Sequence, residues 1–145
     1  MKLKSIIYAC FLISIFFISS SLIAQNNKNV ATQNPPTKKI KVLFVGNSLT
    51  YYYNLPLVVS AMAKTQDLTI ETKHSTVGGS TLEQHWKSEI GTQTRSMLEL
   101  EKWDYVVFNN HSLSAIYKPE SFLEYSKKFA DLARTKGAEP IFMMT

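Results

Sequence analysis

Lys41-Val42-Leu43-Phe44-Val45-Gly46-Asn47-Ser48-Leu49-Thr50 is the stretch that decides how this chain is read. Val42 to Val45 are four consecutive apolar residues, three of them β-branched or aromatic, which predicts a short buried strand. Gly46 ends it and Asn47-Ser48 follow at once. Leu55 to Ala63 then predicts a helix, with Pro56 suited to a first turn. A strand, a sharp turn, a serine and a helix together display a hydroxyl at the carboxyl edge of a sheet, where a helix N-terminus favours developing negative charge. The same pattern also describes an ordinary turn, so the motif needs partners elsewhere in the chain.

Working outward, Met1 to Ala24 predicts an export signal. Lys2 and Lys4 precede an apolar run from Ile6 to Ile18, and Ala24-Gln25 offers a cleavage point. An uncleaved membrane anchor is the alternative use of that run. Gln25 to Lys38 is polar, carries Pro35-Pro36, and reads as a spacer. A single domain is then expected over 39–145. The 145 residues hold one cysteine, Cys10, inside the predicted signal, so the mature chain has no disulfide, thiol nucleophile or thiolate metal site. Export without disulfides fits a bacterial periplasmic or secreted protein. Lys2 and Lys4 account for two of the net charge of +5. The remaining excess is scattered and does not support nucleic-acid binding. With the signal removed, nothing calls for a membrane.

Further along, Leu68 to Thr72 alternates like a strand, and His74 to Ser80 reads as a loop containing Gly78-Gly79. Ser80 or Thr81 can cap a helix through Leu82, His85 and Trp86, and Arg95 to Lys102 predicts another. Asp104 to Phe108 is a clear strand that ends in Asn109-Asn110-His111-Ser112. Pro119 to Lys136 predicts an amphipathic helix, with Ser121 and Glu124 as a capping box, a stripe at Phe122, Tyr125, Phe129 and Leu132, and Gly137 as its stop. Pro140 to Thr145 predicts a fourth strand. Alternation of strands and helices indicates a parallel α/β sheet with ligands at the carboxyl ends of its strands. A buried strand normally feeds another crossover, so the domain is expected to continue past Thr145, the alternative being a small four-stranded fold.

Asn47-Ser48, the Gly78-Gly79 loop and Asn109-Asn110 therefore fall at one sheet edge. Acyl transfer needs a nucleophile, oxyanion donors and a base. Ser48 is the candidate nucleophile. The N–H groups of Ser48 and Gly79, with an amide from the third site, are candidate donors, and a glycine lets the backbone come close to a reacting carbon.

Gly46-Asn47-Ser48-Leu49-Thr50, Gly79-Ser80-Thr81 and a strand ending in Asn109-Asn110 resemble the first three sequence blocks of the SGNH (GDSL-type) esterase superfamily. Gly78 to Trp86 and Trp103 to Val107 are similar to one poorly characterised bacterial branch. The resemblance implies a flavodoxin-like three-layer α/β/α sandwich with about four of its parallel strands in this chain. It also implies metal-free, cofactor-free hydrolysis of acyl esters, acetyl groups on carbohydrates foremost, with Ser48 catalytic and Ser48, Gly79 and Asn110 or Asn109 around the oxyanion. Where the superfamily has aspartate, this chain has Asn47. The third block does not align uniquely, and His111 is a further candidate for its position. The Asp-x-x-His block that supplies the base is absent, in keeping with an expected continuation.

Asn47, His85 and Tyr51 are candidate substrate contacts. Tyr51 to Tyr53 can line a sugar site or pack at an interface. The three histidines lack metal-ligand spacing. Two other readings remain: a glycan-binding protein that does not turn its ligand over, and a phosphate- or nucleotide-binding domain, although the loops lack the usual phosphate cradle.

Overall fold

The computed structural model describes residues 39–144; the expected signal (residues 1–24) and spacer (residues 25–38) lie outside them. Strands β1 (Lys39–Gly46), β2 (Thr69–Thr76), β3 (Tyr105–Asn109) and β4 (Glu139–Met143) form one sheet in the order β2-β1-β3-β4, every pair parallel. Between them come α1 (Ser48–Tyr51), α2 (Leu55–Lys64), α3 (Leu82–Lys87), α4 (Thr94–Leu100), α5 (Ser114–Tyr117) and α6 (Pro119–Thr135). This is the α/β architecture that the alternation predicts.

Period-two alternation divides the central strands between two faces. Leu43 and Val45 of β1 pair in register with Val106 and Phe108 of β3, and all four are fully buried. They meet Leu82 of α3, Leu98 of α4 and Tyr125, Phe129 and Ala133 of α6 in one core. Phe108 sits 5.1 Å from Phe129 and 5.2 Å from Phe142, ring centre to ring centre. Burying each such side chain is worth about 1.5–3 kcal/mol. Helix α2 runs beside β2, and its Ser60 hydroxyl donates to the Ile70 carbonyl at 2.8 Å. Helices α3, α4 and α6 share the core on the face of Leu43, Val45, Val106 and Phe108, and the right-handed crossover that parallel strands follow places α2 on the other face, giving three layers. Among the described residues no helix is long and apolar enough to cross a membrane.

Local signals hold well where the chemistry is local. Thr81, not Ser80, caps α3, in a full capping box with Gln84. Gly137 ends α6 at φ +83°, a left-handed conformation that favours glycine. The expected Ser121–Glu124 box is not formed. Pro119 starts α6 two residues earlier, which leaves Ser121 inside the helix, donating to Glu83 Oε2 at 2.9 Å. Strand β2 is also longer than its composition suggests. It continues through His74 and Ser75 because β1 pairs with it along its whole length, Lys39 opposite Thr69 and Gly46 opposite Thr76. Backbone pairing with a neighbour outweighs the polar side chains.

Candidate active site

The sheet order reverses between β1 and β3: the chain steps from β1 out to β2 and then crosses to β3. At such a switch point the adjacent loops diverge and open a crevice beyond the carboxyl ends of the strands. Ser48 follows β1 there, Asn109 and Asn110 close β3, and the Gly78-Gly79 loop follows β2.

Asn47 caps the single turn α1, its Oδ1 accepting from Leu49 N–H at 3.1 Å. Its Nδ2 donates to the Ser80 carbonyl at 3.2 Å, which ties the serine turn to the glycine loop. Its own N–H donates to Asn109 Oδ1 at 3.0 Å. Asn47 is thus buried, with its N–H, Oδ1 and Nδ2 each bonded to protein, and it links the loops where a substrate contact was expected. Ser48, at the first position of α1, is half-buried. Neither its Oγ nor its N–H bonds to any described residue, as the helix geometry leaves the first N–H groups without intrahelical acceptors.

Val77 to Ser80 forms a tight turn closed by Ser80 N–H to the Val77 carbonyl at 3.1 Å. Gly79 takes the position that needs a left-handed residue, φ +69°, with open space around it. Its N–H has no acceptor among the described residues. A side chain at Gly78 would come within 3.0 Å of the Tyr51 hydroxyl, so Tyr51 lies against this loop, partly exposed.

The two asparagines at the end of β3 are used differently. Asn109 Oδ1 accepts from Asn47 N–H and from Thr50 Oγ1 (2.9 Å), and its Nδ2 donates to the Asn110 carbonyl at 2.8 Å. Its amide is spent on holding the turn together. Asn110 Oδ1 accepts from Leu82 N–H at 3.0 Å and His111 N–H at 2.9 Å. Two backbone donors require oxygen at that position, so the Asn110 NH2 group points elsewhere, and it has no acceptor among the described residues. Ser48 N–H, Gly79 N–H and Asn110 Nδ2 are therefore three unspent donors on loops hydrogen-bonded to one another. His111 is exposed, and its ring receives only the long 3.5 Å approach of Leu113 N–H. It lines a surface groove of about 310 Å³ with Thr81, Leu113, Ser114, Tyr117 and Lys118.

His85 does not face substrate. It is fully buried, with Nε2 3.0 Å from the Gly46 carbonyl and 2.9 Å from Ser80 Oγ, and with Nδ1 2.6 Å from Thr94 Oγ1. Burial lowers its pKa below the usual 6.5, and the Gly46 carbonyl partly opposes that shift. Ser80 Oγ also donates to the Gly46 carbonyl at 2.9 Å, and Thr94 Oγ1 lies 2.9 Å from Ser75 Oγ. Sequence reasoning missed Thr50, Ser75 and Thr94 as parts of the site, since lone hydroxyls follow no period. Trp86, beside His85, packs edge-on to Phe129 at 5.1 Å under the guanidinium of Arg95. Among the described residues no three His, Cys, Asp or Glu side chains gather as a metal site.

Solved structures share this architecture. A protein from Slackia heliotrinireducens assigned to the SGNH hydrolases superposes with a TM-score of 0.63 at 26% identity, over 72% of this chain and 55% of that one. A protein from Desulfitobacterium hafniense DCB-2, assigned to the G-D-S-L lipolytic family, gives 0.55 at 19%, over 70% of this chain and 57% of that one. A DUF4886 family protein from Bacteroides uniformis ATCC 8492 gives 0.51 at 23%, over 73% and 49%. This chain spans about half the length of each. No protein-family model matches it, and no curated protein matches it in sequence. The chain has the fold of the SGNH (GDSL-type) hydrolase superfamily, which the three sequence blocks indicate independently.

Proposed function

We propose that the protein is an exported serine esterase that hydrolyses acyl esters, acetyl esters of carbohydrates foremost. The observation that carries the reading is the set of three unspent donors, Ser48 N–H, Gly79 N–H and Asn110 Nδ2, on loops hydrogen-bonded to one another, the first of which also carries an unpaired serine hydroxyl. Ser48 Oγ adds to the ester carbonyl carbon as its proton passes to a base, and the carbonyl oxygen becomes an oxyanion held by the three donors. Collapse expels the alcohol, which takes the proton, and leaves an acyl-serine. Water then repeats the sequence and releases the acid. Donors already fixed by the fold need no reorganisation as charge develops. Tyr51 and the groove lined by His111 are the surfaces offered to the alcohol.

This chemistry needs a base. None of the three histidines bonds to Ser48 Oγ: His85 is buried, His74 Nδ1 is 2.9 Å from Thr76 Oγ1, and His111 is turned to its own loop. The proposal assigns the base to a histidine outside these residues. The same observation favours a second reading, a glycan-binding protein without turnover. Hydrolysis of p-nitrophenyl acetate by the full-length gene product, read to its natural stop codon, separates the two. Activity reduced by at least about 10³-fold in Ser48→Ala is expected of the esterase. A folded full-length protein without serine-dependent hydrolysis of this ester or of an acetylated saccharide refutes it.

A further inference from the structure

The carbonyl of Gly46 is the last acceptor of β1 before the serine turn, and three donors meet it: Val77 N–H at 3.1 Å, Ser80 Oγ at 2.9 Å and His85 Nε2 at 3.0 Å. The other end of the same peptide unit is held as well, by Asn47 N–H on Asn109 Oδ1. The peptide before Ser48 is thus gripped at both its oxygen and its hydrogen, by groups from β3, from the chain between β2 and α3, and from α3 itself. A peptide is a rigid plane, so fixing both ends sets where the next residue leaves it.

We propose that His85 is a positioning residue for Ser48: as an Nε2–H donor it holds the Gly46 carbonyl, and with Ser80 it fixes the turn that carries the nucleophile. The tautomer follows from the partners. A carbonyl oxygen only accepts, so the ring nitrogen 3.0 Å from it carries the hydrogen. Nδ1 then accepts from the Thr94 hydroxyl 2.6 Å away, with the Ser75 hydroxyl behind it. The ring is fully buried, so any effect of His85 on the reaction passes through the groups it touches, Gly46 and Ser80 on the side of the serine turn. An aliphatic or phenyl ring in its place could fill the volume but would leave the carbonyl one donor short and free the turn to shift. Misplacement of a reacting group by about 1 Å costs on the order of 10²-fold in rate.

The role assigned to Ser48 rests on the esterase reading, so the test has one arm that does not. Nitrogen-15 NMR of the full-length protein at neutral pH is expected to show one histidine locked in the Nε2–H form, its signal lost in His85→Gln. An Nδ1–H form or a tautomeric mixture for that ring overturns the clamp whether or not the protein is an enzyme. In the second arm, kcat and KM for p-nitrophenyl acetate are compared across wild type, His85→Phe and His85→Gln. The glutamine amide can put its N–H2 near the lost Nε2–H. His85→Phe is expected to lower kcat about 10–100-fold with KM little changed, and His85→Gln to stay within about threefold of wild type. Equal losses in both folded variants, or an unchanged kcat in His85→Phe, overturn the positioning role. Should His85→Phe not fold, His85→Leu, which also lacks the donor, takes its place against His85→Gln, and the tautomer is read in wild type in either case. If wild type shows no Ser48-dependent hydrolysis, the esterase reading fails separately and the NMR arm stands alone.

Discussion

Gly46→Ala puts a single methyl group into the most constrained point of the site. A Cβ there would lie 2.1 Å from Asn109 Oδ1, 2.9 Å from Asn109 Cγ and 2.9 Å from Thr50 Oγ1. Real atoms do not approach so closely, so the Asn109 amide must leave. That amide is fixed by three hydrogen bonds, from Asn47 N–H, from Thr50 Oγ1 and to the Asn110 carbonyl. At about 1 kcal/mol net for each, losing them costs about 3 kcal/mol, the upper end of what overpacking a core usually costs. Urea unfolding of the full-length protein is the assay. With a slope of about 1–3 kcal/mol/M, the midpoint should fall by about 1–3 M. Asn109→Ala removes the same bonds and makes room for the methyl group. The double variant Gly46→Ala/Asn109→Ala should therefore cost little more than Asn109→Ala alone, a coupling of about 2–3 kcal/mol. A cost below about 0.5 kcal/mol for Gly46→Ala, or simple additivity of the two changes, would refute the reasoning.

Two further outcomes follow from the same geometry. Asn110→Asp keeps an oxygen for the Leu82 and His111 N–H groups but removes the free N–H2, so stability should change little while kcat falls about 10²–10³-fold; an unchanged kcat would remove Asn110 from the oxyanion. The depressed pKa of His85 predicts a particular pH dependence of stability. Below about pH 6.5 the unfolded chain binds a proton at this histidine that the folded chain refuses. The stability it contributes is full above that pH and is lost as pH falls through the folded pKa. No charged group drives the shift; Gly46, Ser80 and Thr94, which face the ring, are uncharged. Urea midpoints of wild type should drop more steeply than those of His85→Gln between pH 7 and pH 5, and parallel curves would contradict a buried, neutral His85.

Much of this protein is legible without coordinates, wherever the cause lies close along the chain. Val42 to Val45 form a buried strand because four apolar residues in a row leave no face for water. Pro56, Thr81 and Gly137 mark helix ends because each acts on the backbone within a turn of itself. The alternation of elements implies a parallel sheet, and three short blocks at its carboxyl edge single out Ser48, Gly79 and the Asn109-Asn110 pair. Misreadings occur where a distant partner intervenes. Strand β2 extends through His74 and Ser75 because β1 lies alongside, and the Ser121 hydroxyl is taken by Glu83, 38 residues earlier, instead of capping its own helix.

The division is sharpest at the amides and the imidazole. An asparagine carries donor and acceptor on one group, and a histidine carries either on each nitrogen, so composition says only what they can do. The sequence by itself determined the fold class and the serine at its switch point, because hydrophobic periodicity and turn chemistry are properties of short segments. Only the tertiary structure decided that Asn109 is consumed by the backbone 62 residues earlier while Asn110 keeps its N–H2, and that His85 lies beneath the Gly46 carbonyl, 39 residues away in sequence. Those assignments depend on which buried backbone groups arrive without partners, and that is settled when segments far apart in the chain pack together.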